Sequence, residues 1–68
     1  MQLWRGQIFY RGKLRDRDEF HTQQAAKEWA EERLRAIDSS VPIVWRQPGD
    51  QWEAGPSPDF CARIFLKG

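Results

Sequence analysis

The sequence predicts a small α+β domain in which one helix packs on one face of a twisted, mainly antiparallel sheet. Segments rich in β-branched and aromatic residues lie towards both ends of the chain, one central segment repeats its apolar residues at helical spacing, and Gly- and Pro-containing turns separate the segments. The predicted order is β-β-α-β-β-β, in a single domain that spans residues 1–68. A chain of 68 residues has a marginal core, and its four Trp and four Phe residues supply buried area that a larger core would otherwise provide.

The first two strands are predicted as a hairpin made of Gln2–Tyr10 and Leu14–Phe20. The turn Arg11-Gly12-Lys13 contains a glycine, which adopts a positive φ without steric cost. The second strand also contains Asp16 and Asp18, which are poor strand residues. Strict alternation would turn both carboxylates inwards with the apolar residues of this strand. We therefore expect either a short strand or a bulge that changes the register.

The helix is predicted to begin after the N-cap Thr22 and to end near Ile37. Arg33 is unusual because, at 100° per residue, it falls inside the apolar arc. We expect it to lie across Trp29 with some cation–π attraction, and a partner-facing role is the alternative. The apolar residues at helical spacing are Ala25, Ala26, Trp29, Ala30, Leu34, Ala36 and Ile37.

The last third of the chain reads as further strands separated by turns. Pro42 has no N–H to donate, so it must lie on an edge of the sheet or among the first residues of this strand. The predicted segments are a strand over Val41–Arg46, a turn over Gln47–Asp50, a short strand over Gln51–Ala54, a loop over Gly55–Asp59 and a final strand over Phe60–Lys67. The predicted core consists of Trp4, Ile8, Tyr10, Phe20, Ala26, Trp29, Ala30, Leu34, Ile37, Ile64 and Leu66.

Composition excludes several classes of protein. The chain is 40% hydrophobic and 31% charged with a net charge of +1, which argues against disorder. The single Cys61 permits no intramolecular disulfide, so nothing requires an oxidising compartment. No apolar run approaches the roughly 20 residues of a membrane span, and the N-terminus lacks the apolar region of a secretory signal. We expect a cytoplasmic protein without a membrane partner, and Met1 suggests a complete short reading frame.

Charge is distributed unevenly along the chain, and the basic N-terminal segment is relevant to the kind of partner that the domain binds. Residues 1–15 contain four basic residues and no acid, whereas the helical segment is slightly acidic. The period of two along the first strand places Trp4 and Ile8 on the helix side. Cations release the counterions of phosphates, and aromatic rings stack on bases, so the opposite face is a candidate nucleic-acid surface. Its residues, with those of the return strand, are Arg5, Gln7, Phe9, Arg11, Lys13, Arg15 and Arg17.

The last strand can widen the same surface, because its outward positions are Cys61, Arg63, Phe65 and Lys67. The alternative interpretation is an ordinary solvent face, since exposed sheet faces are polar and Arg on edge strands limits aggregation. Whether the C-terminal strands extend the basic face or cover it is left open by the pattern.

Residues 4–30 carry a motif that resembles a known family. The motif combines Trp4-Arg5, the turn Gly12-Lys13 and a helix entry with Phe20, Thr22, Ala26 and Trp29. It resembles the N-terminal arm-binding domain of phage-type integrases (tyrosine recombinases) and is similar to the plant ethylene-response-factor DNA-binding domain. The resemblance implies a sheet of three strands that lies in a DNA groove and contacts it through strand residues. In this chain those are the seven residues Arg5 to Arg17 named above, with duplex DNA as the favoured partner and a phage or mobile-element origin.

A protein partner is the alternative. Trp residues dominate binding hot spots, and Trp45 and Trp52 flank the Gln47–Asp50 turn. The domain would then be an interaction module, such as a small phage-encoded inhibitor or adaptor, acting as a monomer or homodimer. An exposed Phe9 among Arg residues favours nucleic acid, and a Trp-centred patch favours protein. The alternative partner-binding residues are Arg33, Trp45, Trp52, Arg63 and Phe65.

An enzyme is not expected. His21 and Cys61 are the only residues of their types, and a metal site needs further ligands at suitable spacing. No motif supports a Cys-His nucleophile, and we expect a surface His and a partly buried thiol. The acidic cluster Asp16, Asp18 and Glu19 precedes the helix start. No catalytic residue, metal or cofactor is therefore predicted.

Overall fold

The computed structural model describes residues 2–67 and contains one helix on one face of a four-stranded antiparallel sheet. This confirms the predicted α+β class. The sheet order is β2-β1-β4-β3, so the N- and C-terminal strands β1 and β4 are central neighbours. The elements are β1 Leu3–Tyr10, β2 Lys13–Phe20, α1 Gln23–Ile37, β3 Trp52–Ser57 and β4 Phe60–Lys67.

Strands β1 and β2 form the predicted hairpin through the two-residue turn Arg11-Gly12. Both turn residues have positive φ, 55° and 75°, as a type I′ turn requires. The register shifts opposite Ile8 and Phe9, because Ile8 pairs with Asp16 and Phe9 pairs with Leu14. The extra residue in β2 is Arg15, so the predicted bulge is present and turns Leu14 to the face away from the helix.

Asp16 is accommodated by partial exposure and a basic neighbour, and the bulge does not turn it away from the helix. This residue keeps its position on the helix side, where its carboxylate lies 3.7 Å from the guanidinium of Arg33 on α1. Both side chains are partly exposed, so the carboxylate is not buried without a partner. The expectation that Arg33 lies across Trp29 is therefore wrong: Arg33 turns towards the β2 edge, because an acid lies there.

Helix α1 begins and ends at polar caps. The Thr22 hydroxyl accepts a hydrogen bond from the Ala25 N–H at 3.1 Å, which confirms the N-cap. At the other end, the Asp38 N–H donates to the Leu34 carbonyl at 3.0 Å. The Asp38 carboxylate accepts from the backbone and the hydroxyl of Ser40, which lowers the pKa of Asp38.

Residues 41–46 do not form the predicted strand. Val41 is buried and Ile43 and Trp45 are half-buried against the core, while the residues between them are exposed, so the period of two is real. The segment lacks a sheet partner until Arg46, whose N–H and carbonyl pair with Glu53 at 2.8 Å. The reason is that Pro42 has no N–H and the apolar side chains pack on the core instead of extending the sheet. The predicted loop also starts too early, because β3 continues to Ser57.

The core lies between α1 and the sheet. Its buried residues are Ile8, Ala26, Ala30, Leu34, Val41, Ala62 and Ile64, with Trp4, Phe20, Trp29 and Ile37 among the partly buried residues around them. Two predicted core residues differ. Leu66 lies next to the end of β4 and is 39% exposed, and Tyr10 packs on Phe60 outside this cluster. Within residues 2–67, no helix has the length and hydropathy needed to cross a membrane.

Candidate nucleic-acid interface

The face of the sheet away from α1, here called the open face, presents side chains from all four strands. Gly6 and Ile8 contact the helix or its core, so the alternate positions of β1 point the other way. Residues 41–45 pack on the helix side and do not cover the open face, to which β3 and β4 add side chains, although Cys61 is fully buried there. Cross-strand pairing assigns to this face Arg5, Gln7 and Phe9 of β1, Leu14, Arg17 and Glu19 of β2, Glu53 of β3, and Cys61, Arg63, Phe65 and Lys67 of β4.

Two acids neutralise much of the positive charge of the open face. Arg5 and Lys67 both donate to the same oxygen of Glu19, at 2.8 and 2.9 Å. These hydrogen bonds, from Lys67 first and then Arg5, hold the pKa of Glu19 below its ordinary value. On the other half of the face, Arg46 and Arg63 lie 3.4 and 3.6 Å from Glu53. The centre of the open face is therefore less basic than the sequence pattern suggested.

Phe9 is half-buried and is not a freely exposed ring. The guanidinium of Arg63 lies 5.0 Å from its centroid, which is within cation–π range. The Nε of Arg63 is buried and makes no hydrogen bond within residues 2–67. Phe65 is also half-buried and pairs with Arg5 across the strands. Of these two rings, Phe9 is thus partly occupied by one of the protein's own Arg side chains.

The seven predicted residues form two groups in the structure. Arg5, Gln7, Phe9 and Arg17 lie on the open face. The others lie at the hairpin turn, where they surround a ring that the sequence assigned to the core. The guanidinium carbons of Arg11 and Arg15 lie 5.4 and 5.5 Å from the Tyr10 centroid, and Lys13 pairs with Tyr10.

Four basic residues of this hairpin make no ion pair within residues 2–67, and we call them the hairpin cations: Arg11, Lys13, Arg15 and Arg17. All four are exposed. The other basic residues are engaged: six Arg or Lys side chains form the ion pairs, and Lys27 lies over Trp rings. Basic side chains without an ion pair in the described part of the chain are thus concentrated on β2 and the turn before it.

The hairpin turn is held in place by the turn between β3 and β4. The Gly12 N–H donates to the Asp59 carbonyl at 3.0 Å. Beside it, Tyr10 and Phe60 stack edge to face with their centroids 5.2 Å apart and their planes at 82°. The hairpin cations are therefore carried on a braced end of the sheet, which lowers the entropic cost of ordering their backbone on binding.

The alternative partner-binding residues do not form one surface. Trp45 and Trp52 lie on the helix side, where the ammonium of Lys27 is 5.6 and 3.6 Å from their ring centroids. The Trp45 Nε1–H also donates to Glu31 at 2.9 Å. The other members lie elsewhere: Arg33 faces the β2 edge, and Arg63 and Phe65 lie on the open face.

The environment of Cys61 disfavours a thiolate. Its side chain is fully buried, burial raises its pKa, and its Sγ–H lies 3.5 Å from the Pro58 carbonyl that accepts from it. Residues 2–67 contain no group of three or more His, Cys, Asp or Glu side chains arranged to hold a metal ion.

Sequence reasoning missed the two acids that compensate the open face. Glu19 was assigned only to the acidic cluster before the helix. Its pairing with Arg5 depends on the bulge at Arg15, because the two-residue turn alone would pair Arg5 with Asp18. Glu53 gave no comparable signal, because its partner Arg63 depends on pairing between β3 and β4. No protein-family model, curated protein or solved structure matches this chain.

Proposed function

We propose that this domain is a non-enzymatic nucleic-acid-binding module that contacts backbone phosphates with the hairpin cations, with duplex DNA as the favoured partner. The observation that carries the proposal is the concentration of four exposed cations without ion pairs on one hairpin, in a protein whose net charge is only +1. A cation that must first leave an acid gains less from a phosphate, so unpaired cations are the effective phosphate ligands.

The resemblance of residues 4–30 to integrase arm-binding domains supports the same partner and suggests a phage or mobile-element origin. Two features shift the contacts from those that the resemblance implies. Arg5 forms an ion pair with Glu19, and Phe9 lies under Arg63, so both side chains are already engaged within the protein. The proposed interface is therefore centred on β2 and the Arg11-Gly12 turn, with Gln7 beside Arg17 at its margin.

The test is fluorescence anisotropy with a labelled random duplex, and with a labelled single strand, at two salt concentrations. We expect micromolar binding with a log–log salt slope of about −3 to −4 for the duplex, because four phosphate contacts each contribute about −0.9. The variant Arg11→Ala/Lys13→Ala/Arg15→Ala removes three of the four contacts. It should bind at least tenfold more weakly and leave a slope near −1.

A matched control separates the site from net charge. Arg33→Ala/Arg35→Ala/Arg46→Ala removes the same charge from side chains that are ion-paired in the protein. It should keep most of the affinity and the salt slope. Equal loss in both triple variants would contradict a site on the hairpin. Absence of binding at low salt would contradict the nucleic-acid proposal and would favour a protein partner.

A further inference from the structure

The open face contains a shallow depression at the ends of β1, β2 and β4. Its volume is about 270 Å³, and its lining consists only of charged side chains. Three are basic and two are acidic: Arg5, Arg17, Lys67, Asp18 and Glu19. The three cations come from three different strands, so only the folded sheet brings them together.

Glu19 occupies the position of an anion ligand in this depression. It lies opposite Arg5 in the β1–β2 register, and Lys67 reaches it from β4 on the other side of β1. One oxygen, Oε2, accepts from both cations at 2.8 and 2.9 Å. Convergence of two cations on one oxygen is the arrangement that a phosphate oxygen also satisfies.

Arg17 gives the depression a cation that Glu19 does not satisfy. It lines the same depression, it makes no ion pair within residues 2–67, and it is one of the hairpin cations. A carboxylate offers two oxygens in one plane, whereas a phosphodiester offers two non-bridging oxygens that share one negative charge on a tetrahedral centre, with bridging oxygens beside them. A phosphate therefore matches three cations that approach from different strands better than the resident carboxylate does.

We propose that this depression is a second phosphate site of the nucleic-acid surface, and that Glu19 is an internal competitor which a backbone phosphate must displace. This inference rests on the proposed function. Glu19 is partly exposed on the edge strand β2, so its side chain can move into solvent without disturbing the core. Displacement lowers affinity by the cost of breaking two ion pairs.

The test is Glu19→Gln, compared with wild type by duplex anisotropy. The substitution removes the competing charge and keeps the size of the side chain. We expect about tenfold tighter binding and a salt slope steeper by about 1 to 2, because Glu19 retains Arg5 and Lys67 in most wild-type complexes and the substitution makes both available for phosphates. Glu32→Gln, on the exposed side of α1, makes the same change in net charge and should alter affinity less than twofold. Adding Lys67→Ala to Glu19→Gln should reverse part of the gain.

The failure of the second phosphate site and the failure of the proposed function give different results. If wild type binds, the hairpin triple variant does not, and Glu19→Gln equals Glu32→Gln, the second site is overturned and the proposed function stands. If neither wild type nor Glu19→Gln binds any duplex, both are overturned. Titration of Glu19→Gln with inorganic phosphate, followed by amide chemical shifts, separates the ligand sources. Shifts near the depression with inorganic phosphate but no gain with duplex would assign the site to free phosphate and would overturn the inference.

Discussion

The six-membered ring of Trp29 on α1 lies directly over Gly6 of β1. A Cβ added at Gly6 would be 2.6 Å from Cζ3 and 2.9 Å from Cε3 of that ring, closer than real Cβ contacts allow. Phe20 adds a second aromatic ring beside Trp29, with the centroids 5.3 Å apart. The helix therefore approaches the sheet most closely at a position without a side chain, and this contact sets the distance between the two layers.

Gly6→Ala should destabilise the domain by about 1–3 kcal/mol, because the extra methyl group overpacks a rigid contact. The measurement is the urea midpoint followed by tryptophan fluorescence. The matched variant is Trp29→Phe, which makes room above position 6. In the double variant, the added methyl group should lower the free energy of unfolding by less than it does in the presence of Trp29. The difference, which is the coupling energy, should be at least about 0.5 kcal/mol. Additive effects would show that the contact with Trp29 is not what excludes a side chain.

Lys27→Met should reduce stability by about 0.5–1 kcal/mol. The substitution keeps an unbranched stem and removes the ammonium, which lies 3.6 Å from the Trp52 centroid and holds β3 and the Trp45 segment against α1. Urea unfolding measures the change, and Glu28→Gln at the next, exposed position of the helix is the control, with an expected effect within about 0.5 kcal/mol. A Lys27→Met protein as stable as the control would mean that the cation–π contacts contribute nothing measurable.

Acid should destabilise the domain partly through Glu19 and Asp38. The pKa of each carboxyl is lowered in the folded protein, by Lys67 and Arg5 for Glu19 and by Ser40 for Asp38. A lowered pKa means that the stabilisation is complete above the unfolded values of 4.5 and 3.8, and that it is lost as pH falls through the lower folded values. Thermal unfolding between pH 6 and pH 2.5 tests this.

Glu19→Gln should show a smaller fall in Tm over that range than wild type, and adding Asp38→Asn should reduce the fall further. High salt should weaken the effect of Glu19, because its partners are exposed. If the Tm of Glu19→Gln fell as much as that of wild type over this pH range, the hydrogen bonds from Lys67 and Arg5 to Glu19 would be contradicted. This experiment measures the ion pairs of the free protein and does not depend on any ligand.

Local pattern was sufficient for most of the fold. The apolar spacing of α1, the cap Thr22 and the Arg11-Gly12 turn are encoded by residues close together in sequence, so periodicity and turn chemistry predicted them. The same local pattern misassigned 41–46 as a strand. Its alternation is real, but whether an extended segment pairs in a sheet or packs on a helix depends on long-range contacts that period alone does not contain.

The candidate site, like the fold, was predictable only in the features that depend on residues close together in sequence. The order of residues is enough to show that the first hairpin is basic and that its positive residues follow a strand period of two. Which of those charges lack an ion pair depends on the folded sheet. Arg11, Lys13 and Arg15 lie at the hairpin end without an ion pair, whereas Glu19 pairs with Arg5 of the same hairpin and with Lys67, which is 48 residues away in sequence. Ion pairing depends on register and on which strands become neighbours, and β1 meets β4 only when both ends of the chain come together in the sheet.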